Sequence, residues 1–89
     1  GADLGTIPDM ASGETGGVRI TGVSKGSPAE LGGMMGGDMI TKIGDYDVPD
    51  LAGMTDALRN YKPGDKVVVI VIRDGKEMAL DVTLGKRGG

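Results

Sequence analysis

The chain has 89 residues, a formal net charge of −3, and neither cysteine nor histidine. This length fits one small domain, and the absence of cysteine excludes a disulfide framework or a thiolate metal site. Acidic and basic residues are mixed, and two tyrosines are the only aromatic residues, so the composition indicates no surface for nucleic acid. No apolar run approaches the roughly 20 residues of a membrane-spanning helix, so membrane insertion is not predicted either.

The first quarter of the chain predicts a short strand, a loop and a longer strand. Residues 1–3 begin with Gly-Ala and are interpreted as a tag remnant or linker. Residues 4–9 form a short apolar stretch, and residues 11–17 are a loop by their glycine-rich composition. Residues 18–24 contain valine and isoleucine at strand-like spacing and predict a β-strand.

Turn residues separate the next elements. Ser27 is placed to cap a short helix that has Pro28 at its first position. A second turn at Gly36-Gly37-Asp38 precedes a predicted strand at residues 39–43, and the Asp38 carboxylate is expected to accept hydrogen bonds from nearby backbone N–H groups. Residues 45–48 predict a short strand or a turn.

The clearest helix signal follows Asp50, which is placed as its N-cap. Apolar residues then recur at i, i+3, i+7 and i+10, which is one face of an α-helix; they are Leu51, Met54, Leu58 and Tyr61. On spacing alone, this face is the buried side of a helix rather than a binding surface. Lys62-Pro63-Gly64 ends the helix.

The last third of the chain predicts a β-hairpin. Residues 67–72 are a continuous β-branched run that is apolar on both faces, so we expect a central strand. Residues 77–84 alternate between apolar and polar, and Asp74-Gly75 between the two segments is typical of a type I′ turn. Residues 85–89 are interpreted as a flexible tail.

Catalytic and metal-binding chemistry is poorly supported by the sequence. The serines at positions 12, 24 and 27 have no histidine to activate them. A calcium site at Asp38, or at Asp45, Asp47 and Asp50, lacks the ligand-rich loop and distal glutamate of an EF-hand. We therefore predict no catalytic residue, no metal and no cofactor.

A series of short motifs runs through the chain in a fixed order. They are Gly26-Ser27-Pro28-Ala29-Glu30, Gly33, Gly37-Asp38, Ile40, Ile43-Gly44, Asp50-Leu51, Pro63-Gly64 and Arg73-Asp74-Gly75-Lys76. This series resembles bacterial PDZ domains of the circularly permuted kind that is attached to HtrA-type serine proteases, tail-specific proteases and secreted zinc aminopeptidases. The resemblance covers residues 4–84, and residues 4–9 are most similar to the aminopeptidase-associated kind.

The resemblance implies a fold and a function. The fold would be α+β and mainly β, a partly open five- to six-stranded β-barrel or sandwich with two helices. The function would be to take C-terminal or unfolded peptide segments by β-strand addition to a sheet edge that faces a helix, in the service of a parent protease or peptidase. Periplasmic or secreted localisation is implied as well.

The same resemblance implies which residues line the peptide-binding groove. On the strand side they are Leu4, Gly5, Thr6, Ile7 and Pro8; on the helix side they are Leu51, Met54, Thr55 and Leu58. Gly5 would let the backbone approach the ligand carboxylate, Leu4 would help form the pocket for the last side chain, and Thr55 would bond a polar ligand side chain.

Two residues depart from the usual sequence pattern of the family that the chain resembles. Thr6 stands where the family usually has an apolar residue, and Pro8 has no N–H to offer a ligand strand. Alternatively, Pro8 protects an exposed strand edge from aggregation.

These departures leave a second hypothesis open, a structural or regulatory domain whose groove is closed or is used within its own parent protein. A free-standing enzyme is the third hypothesis. Because the groove edge would be open, we also expect copies of the chain to pair, with the tail of residues 86–89 of one copy in the groove of another.

Overall fold

The computed structural model describes residues 1–86. Within this range the strands are β1 (Ala2–Asp3), β2 (Thr6–Pro8), β3 (Val18–Val23), β4 (Met39–Ile43), β5 (Tyr46–Asp47), β6 (Lys66–Arg73), β7 (Lys76–Thr83) and β8 (Gly85–Lys86). The helices are α1 (Pro28–Leu31) and α2 (Leu51–Arg59). No helix between residues 1 and 86 is long and apolar enough to cross a membrane.

Six strands form one antiparallel sheet in the order β2-β3-β4-β6-β7, with β5 also paired to β4. β1 and β8 form a separate two-stranded sheet. The sheets do not close into a barrel, and two helices pack against them, so the predicted fold class of a mainly β, partly open architecture is confirmed. The prediction of a central strand at residues 67–72 is also confirmed, because β6 lies between β4 and β7.

Both helices begin at the predicted caps. The Ser27 hydroxyl accepts a hydrogen bond of 3.2 Å from the Glu30 N–H, and the Asp50 carboxylate accepts one of 2.7 Å from the Gly53 N–H. α2 ends at Arg59, so Tyr61 lies beyond the helix, where its ring meets that of Tyr46 edge-on. The predicted apolar face therefore divides, with part of it in the core and part at the surface.

The hairpin between β6 and β7 has the predicted turn. Asp74 and Gly75 have φ angles of 52° and 76°, which a type I′ turn requires at both central positions. The turn fixes the register in which Arg73 faces Lys76. In this register Val69 and Val71 point into the core and are fully buried, together with Ile40 of β4.

Asp38 is a fully buried carboxylate at the turn before β4. It accepts a hydrogen bond of 3.0 Å from the Met35 N–H, which confirms the expected backbone bond. It also receives two bonds of 2.8 Å from Arg73, a partner that the sequence does not reveal. Burial alone would raise the pKa of Asp38, but the hydrogen bonds and the charge of Arg73 outweigh burial and lower this pKa below its usual value.

The two ends of the described chain meet. Ala2 pairs with Lys86 and Asp3 pairs with Gly85, and the Ala2 side chain is buried in the core. Residues 2–3 and 85–86 thus belong to the folded unit, although residues 1–3 and 85–89 are interpreted from sequence as a linker and a tail. Residues 87–89 lie outside the described part of the chain.

Candidate functional site

Two cavities lie along α2 and together outline a groove beside β2. The first, of about 220 Å³, lies between residues 1–3 and the C-terminal half of α2. The second, of about 200 Å³, lies between Pro8, the loop after it, and the start of α2. The segment before β2 therefore lies near the end of α2, and Pro8 at the end of β2 lies near Leu51 at the start of α2. We call this feature the β2–α2 groove.

The loop before β2 is held by the start of α1. The Leu4 carbonyl accepts a hydrogen bond of 2.8 Å from the Ala29 N–H. Gly5 has a φ angle of 79°, and a Cβ at this position would clash with the Ser27 side chain. Position 5 therefore requires glycine for two reasons, its left-handed backbone and its close contact with Ser27.

The pairing of β2 with β3 determines which backbone groups face the groove. The Ser24 N–H donates to the Gly5 carbonyl, and the Asp9 N–H donates to the Arg19 carbonyl, each at 2.8 Å. Along an antiparallel strand, inward and outward hydrogen-bonding positions alternate. The N–H and C=O of Thr6 and the C=O of Pro8 consequently point away from β3, toward the open edge of the sheet.

A bulge in this ladder does not disturb the alternation. Ile7 faces Gly22 while Pro8 faces Ile20, so the additional residue, Thr21, lies on β3 and not on β2. A bulge shifts the pairing only on the strand that carries the extra residue. The outward positions of β2 therefore remain at residues 6 and 8.

The predicted strand residues divide between the two faces of β2. Leu4 is buried in the core ahead of the strand, and within β2 residues 6 and 8 share a face by the two-residue period of a strand. Ile7 points to the opposite face, where it is 48% exposed and lies near Gly22. Of the five predicted strand residues, Pro8 lines the second cavity, Leu4 is buried in the core, and the Ile7 side chain lies on the face opposite to that of residues 6 and 8.

The helix wall has three residues in one stripe, because Leu51, Thr55 and Leu58 follow at i, i+4 and i+7. Leu51 is 37% exposed, Thr55 is half-buried, and Leu58 is buried at the rim of the first cavity. The Thr55 hydroxyl donates to the Leu51 carbonyl at 3.2 Å, which leaves its oxygen able to accept a hydrogen bond. Met54 is buried and also lines the first cavity.

Sequence reasoning missed charged residues at both ends of the groove. Asp3 and Arg59 line the first cavity, and Arg19 lines the second. Arg19 donates two hydrogen bonds to the Glu14 carboxylate, at 2.8 and 2.6 Å, and these bonds lower the pKa of Glu14. Glu14 lies within the glycine-rich loop and Arg19 lies in the strand that follows it, and their opposite charges are the one sequence signal for this pair.

Other features of the described chain lie away from the groove. A cavity of about 470 Å³ lies on the outer face of the sheet, near Thr41, Val68 and Ile70. The Ser27 hydroxyl is engaged as a helix cap. Residues 1–86 contain no group of three or more acidic, histidine or cysteine side chains arranged to hold a metal ion.

Comparisons with known proteins agree with this architecture. The family model for the PDZ domain matches residues 2–84. The serine protease Do-like HtrA of Lactococcus lactis subsp. lactis is 40% identical over 77 residues, which are 86% of this chain and 19% of that protein. A probable periplasmic serine endoprotease, DegP-like, of Chlamydia trachomatis is 35% identical over 68 residues, 76% of this chain and 14% of that protein.

A solved structure is similar over nearly the whole chain. The HtrA-type protease AlgW with a decapeptide has a TM-score of 0.86 and 27% identity, covering 99% of this chain and 30% of that one. The chain thus spans less than a fifth of the length of the two curated relatives that it matches here.

Proposed function

The chain belongs to the PDZ domain family, and we propose that it is a non-catalytic module that binds the C-terminal ends of other polypeptides by β-strand addition. The observation that carries the proposal is the open edge of β2, the terminal strand of the six-stranded sheet, whose Thr6 backbone groups point away from β3. PDZ domains bind peptides by adding them to a sheet edge as a further strand.

Binding would begin at the loop before β2. The backbone N–H groups of residues 4–6 would hold the ligand carboxylate, because consecutive N–H groups on a left-handed turn form a small anion site. Gly5 permits this turn and allows the carboxylate to approach without contact from a side chain. The Thr6 N–H and C=O would pair with the last ligand residue.

The last ligand side chain would enter the first cavity. Met54 and Leu58 supply its apolar wall, and Asp3 and Arg59 make its rim polar. By the family resemblance, Leu4 and Thr6 would border the same pocket. Its volume of about 220 Å³ is large enough for one ligand side chain. Thr55 would accept a hydrogen bond from a polar side chain farther along the ligand.

The ligand would also touch residues at the edges of the groove. Ile7 would contact a ligand side chain that points away from the groove, since its own side chain is exposed on the opposite face of β2. Leu51 would contact ligand residues that lie upstream of the C-terminus, because it lines the second cavity together with Pro8.

We propose that the module serves a serine protease of the HtrA type. This proposal rests on the proteases that it resembles, of which it spans less than a fifth. Its partners would then be a protease domain in the same polypeptide and the C-terminal or unfolded segments of other proteins. A periplasmic or secreted location follows from the same relatives, one of which is described as periplasmic.

The test is an NMR titration with peptides that differ only in their C-terminal residue, each with a free or an amidated carboxylate. We expect shifts in residues 4–8 and 51–58, and binding at least tenfold weaker after amidation. Shifts confined to the outer-face cavity near Thr41 and Val68, or no effect of amidation, would contradict the proposal.

A matched pair of variants sharpens this test. Thr55→Arg places a long side chain on the helix wall of the groove, and Thr41→Arg places the same side chain in the outer-face cavity. The first should abolish binding, while the second should leave the dissociation constant within about twofold. Equal effects of the two variants would locate the binding site elsewhere.

A further inference from the structure

The position of Pro8 restricts how far a ligand strand can pair with β2. Residues 6 and 8 are the outward positions of this strand, and Pro8 has a C=O but no N–H. The Thr6 position can therefore exchange two hydrogen bonds with a ligand, and the Pro8 position can only accept one.

The strand ends directly after Pro8. The Asp9 N–H turns inward to the Arg19 carbonyl, and the Ala11 N–H donates to the Asp9 carboxylate at 3.1 Å. Residues 10 and 11 form a turn, so the next outward position, Met10, is no longer part of a strand. In the described chain, the ladder that β2 presents to a ligand thus has two positions, and the second is incomplete.

The loop beyond Pro8 adds few further polar partners. The polar side chains that line the second cavity already have partners within the chain. Arg19 donates to Glu14 and to the Gly37 carbonyl. Asp9, Ser12 and Asp50 accept from the N–H groups of Ala11, Glu14 and Gly53. For upstream ligand residues, the cavity also offers the apolar side chains of Pro8, Met10 and Leu51. These offer apolar contact but no continuation of the backbone ladder.

The direction of the ligand follows from the carboxylate site. If the carboxylate lies at the loop before β2, the ligand runs antiparallel to β2, with its last residue opposite Thr6. The antepenultimate residue, two positions upstream, then lies opposite Pro8. Its N–H meets the Pro8 carbonyl, while its own carbonyl faces the proline ring and has no donor from β2.

We propose that, because of Pro8, this module recognises only the last three residues of its peptide ligand. Its partners are then proteins with short, exposed C-terminal ends rather than long unfolded segments. The inference rests on the proposed function of C-terminal binding and identifies Pro8 as a specificity-determining residue. Residues upstream of the third would change affinity little, and the antepenultimate carbonyl would contribute nothing to it.

The experiment uses one peptide sequence in four forms, measured by calorimetry or NMR: a tripeptide, a decapeptide, and decapeptides with a single backbone ester. One ester replaces the amide between the antepenultimate and penultimate residues, which weakens the antepenultimate carbonyl as an acceptor. The other replaces the last amide, which removes the N–H that would donate to the Thr6 carbonyl.

For the native chain, we expect the tripeptide and decapeptide to bind within about threefold of each other. The first ester should leave the dissociation constant within about twofold, and the second should weaken binding by about two- to tenfold, the usual effect of one hydrogen bond. Loss of affinity on the first ester, or a decapeptide that binds more than tenfold tighter than the tripeptide, would overturn the inference.

Pro8→Ala supplies the missing N–H. In this variant the all-amide peptides should bind about two- to tenfold tighter, and the first ester should now cancel that gain. An unchanged affinity in Pro8→Ala would refute the role of Pro8. If the second ester has no effect on the native chain, strand addition at Thr6 fails, and the proposed function fails with it.

Discussion

Arg73 donates two parallel hydrogen bonds of 2.8 Å to the buried carboxylate of Asp38, from Nε to Oδ1 and from Nη2 to Oδ2. The same guanidinium donates to the Gly33 carbonyl at 2.8 Å. One side chain at the end of β6 thereby holds both ends of the glycine-rich turn between α1 and β4. With a bidentate geometry and additional backbone hydrogen bonds, a buried ion pair can offset the free-energy cost of its desolvation.

Removing Arg73 should destabilise the domain strongly. Arg73→Met leaves the Asp38 carboxylate buried without its cation, and we expect a loss of about 3 kcal/mol in the free energy of unfolding. This value is at the lower end for a broken buried pair, because 20% of the Arg73 side chain is exposed. Urea unfolding followed by circular dichroism measures the change.

Arg59→Met is the matched control for this prediction. Arg59 forms an ion pair of 3.4 Å with Asp56, but both side chains are more than 70% exposed. We expect a change within about 0.5 kcal/mol, as for other surface pairs. Equal losses in the two variants would show that the Asp38–Arg73 pair stabilises the fold no more than an exposed ion pair does.

The pKa of Asp38 predicts how stability depends on pH. Because this pKa is lower in the folded chain than the value of about 3.9 for an unperturbed aspartate, the unfolded chain binds more protons between the two values. The stabilisation is complete above about pH 4 and is lost as pH falls through the folded pKa. Unfolding free energies of the native chain and of Asp38→Asn should therefore converge below pH 4. A difference that stays constant, or widens, toward pH 2 would contradict this assignment.

The contact between Gly5 and Ser27 predicts a second stability effect, which also concerns the binding loop. Gly5→Ala adds a Cβ at a φ angle of 79° and pushes it into the Ser27 side chain. We expect a loss of more than about 2 kcal/mol, since the left-handed backbone alone costs about 1–2 kcal/mol. In a Ser27→Gly background the clash is absent, and the same change should cost only the backbone part.

Gly13→Ala separates the two causes. Gly13 also has a positive φ, of 63°, but a Cβ there meets nothing within 4 Å. Its loss should match that of Gly5→Ala measured in the Ser27→Gly background. A double-mutant cycle that finds no coupling between positions 5 and 27 would exclude the clash as a cause.

Much of the fold could be predicted because its signals are local. Ser27 and Asp50 cap their helices through residues three positions away, and the Asp74-Gly75 turn requires only its own backbone angles. The pairing of Ala2 with Lys86 could not be predicted, because it joins residues 84 positions apart that carry no strand pattern. The partnership of Asp38 with Arg73 is hidden for the same reason, since 35 residues separate the two.

The candidate site was harder to predict than the fold. Spacing alone places Leu51, Met54 and Leu58 on one buried face, yet Leu51 is exposed at the groove while the other two are buried. The family resemblance predicts the groove. It does not predict the position of the Ile7 side chain, because that position depends on the pairing of β2 with β3. Whether these residues bind a peptide remains a prediction.

The polarity of Thr6 yields the last prediction, which concerns ligand preference. By the family resemblance, residue 6 is proposed to border the pocket for the last ligand side chain. Thr6→Val keeps the shape and strand preference of the residue but removes its hydroxyl, which costs about 0.5–2 kcal/mol to bury without a partner. Peptides that end in valine or leucine should therefore bind about two- to tenfold tighter to the variant. Thr83→Val, on the exposed face of β7, is the control and should leave affinity unchanged. Weaker binding of such peptides to Thr6→Val would mean that the hydroxyl itself contacts the ligand, which would reverse the role assigned to this residue.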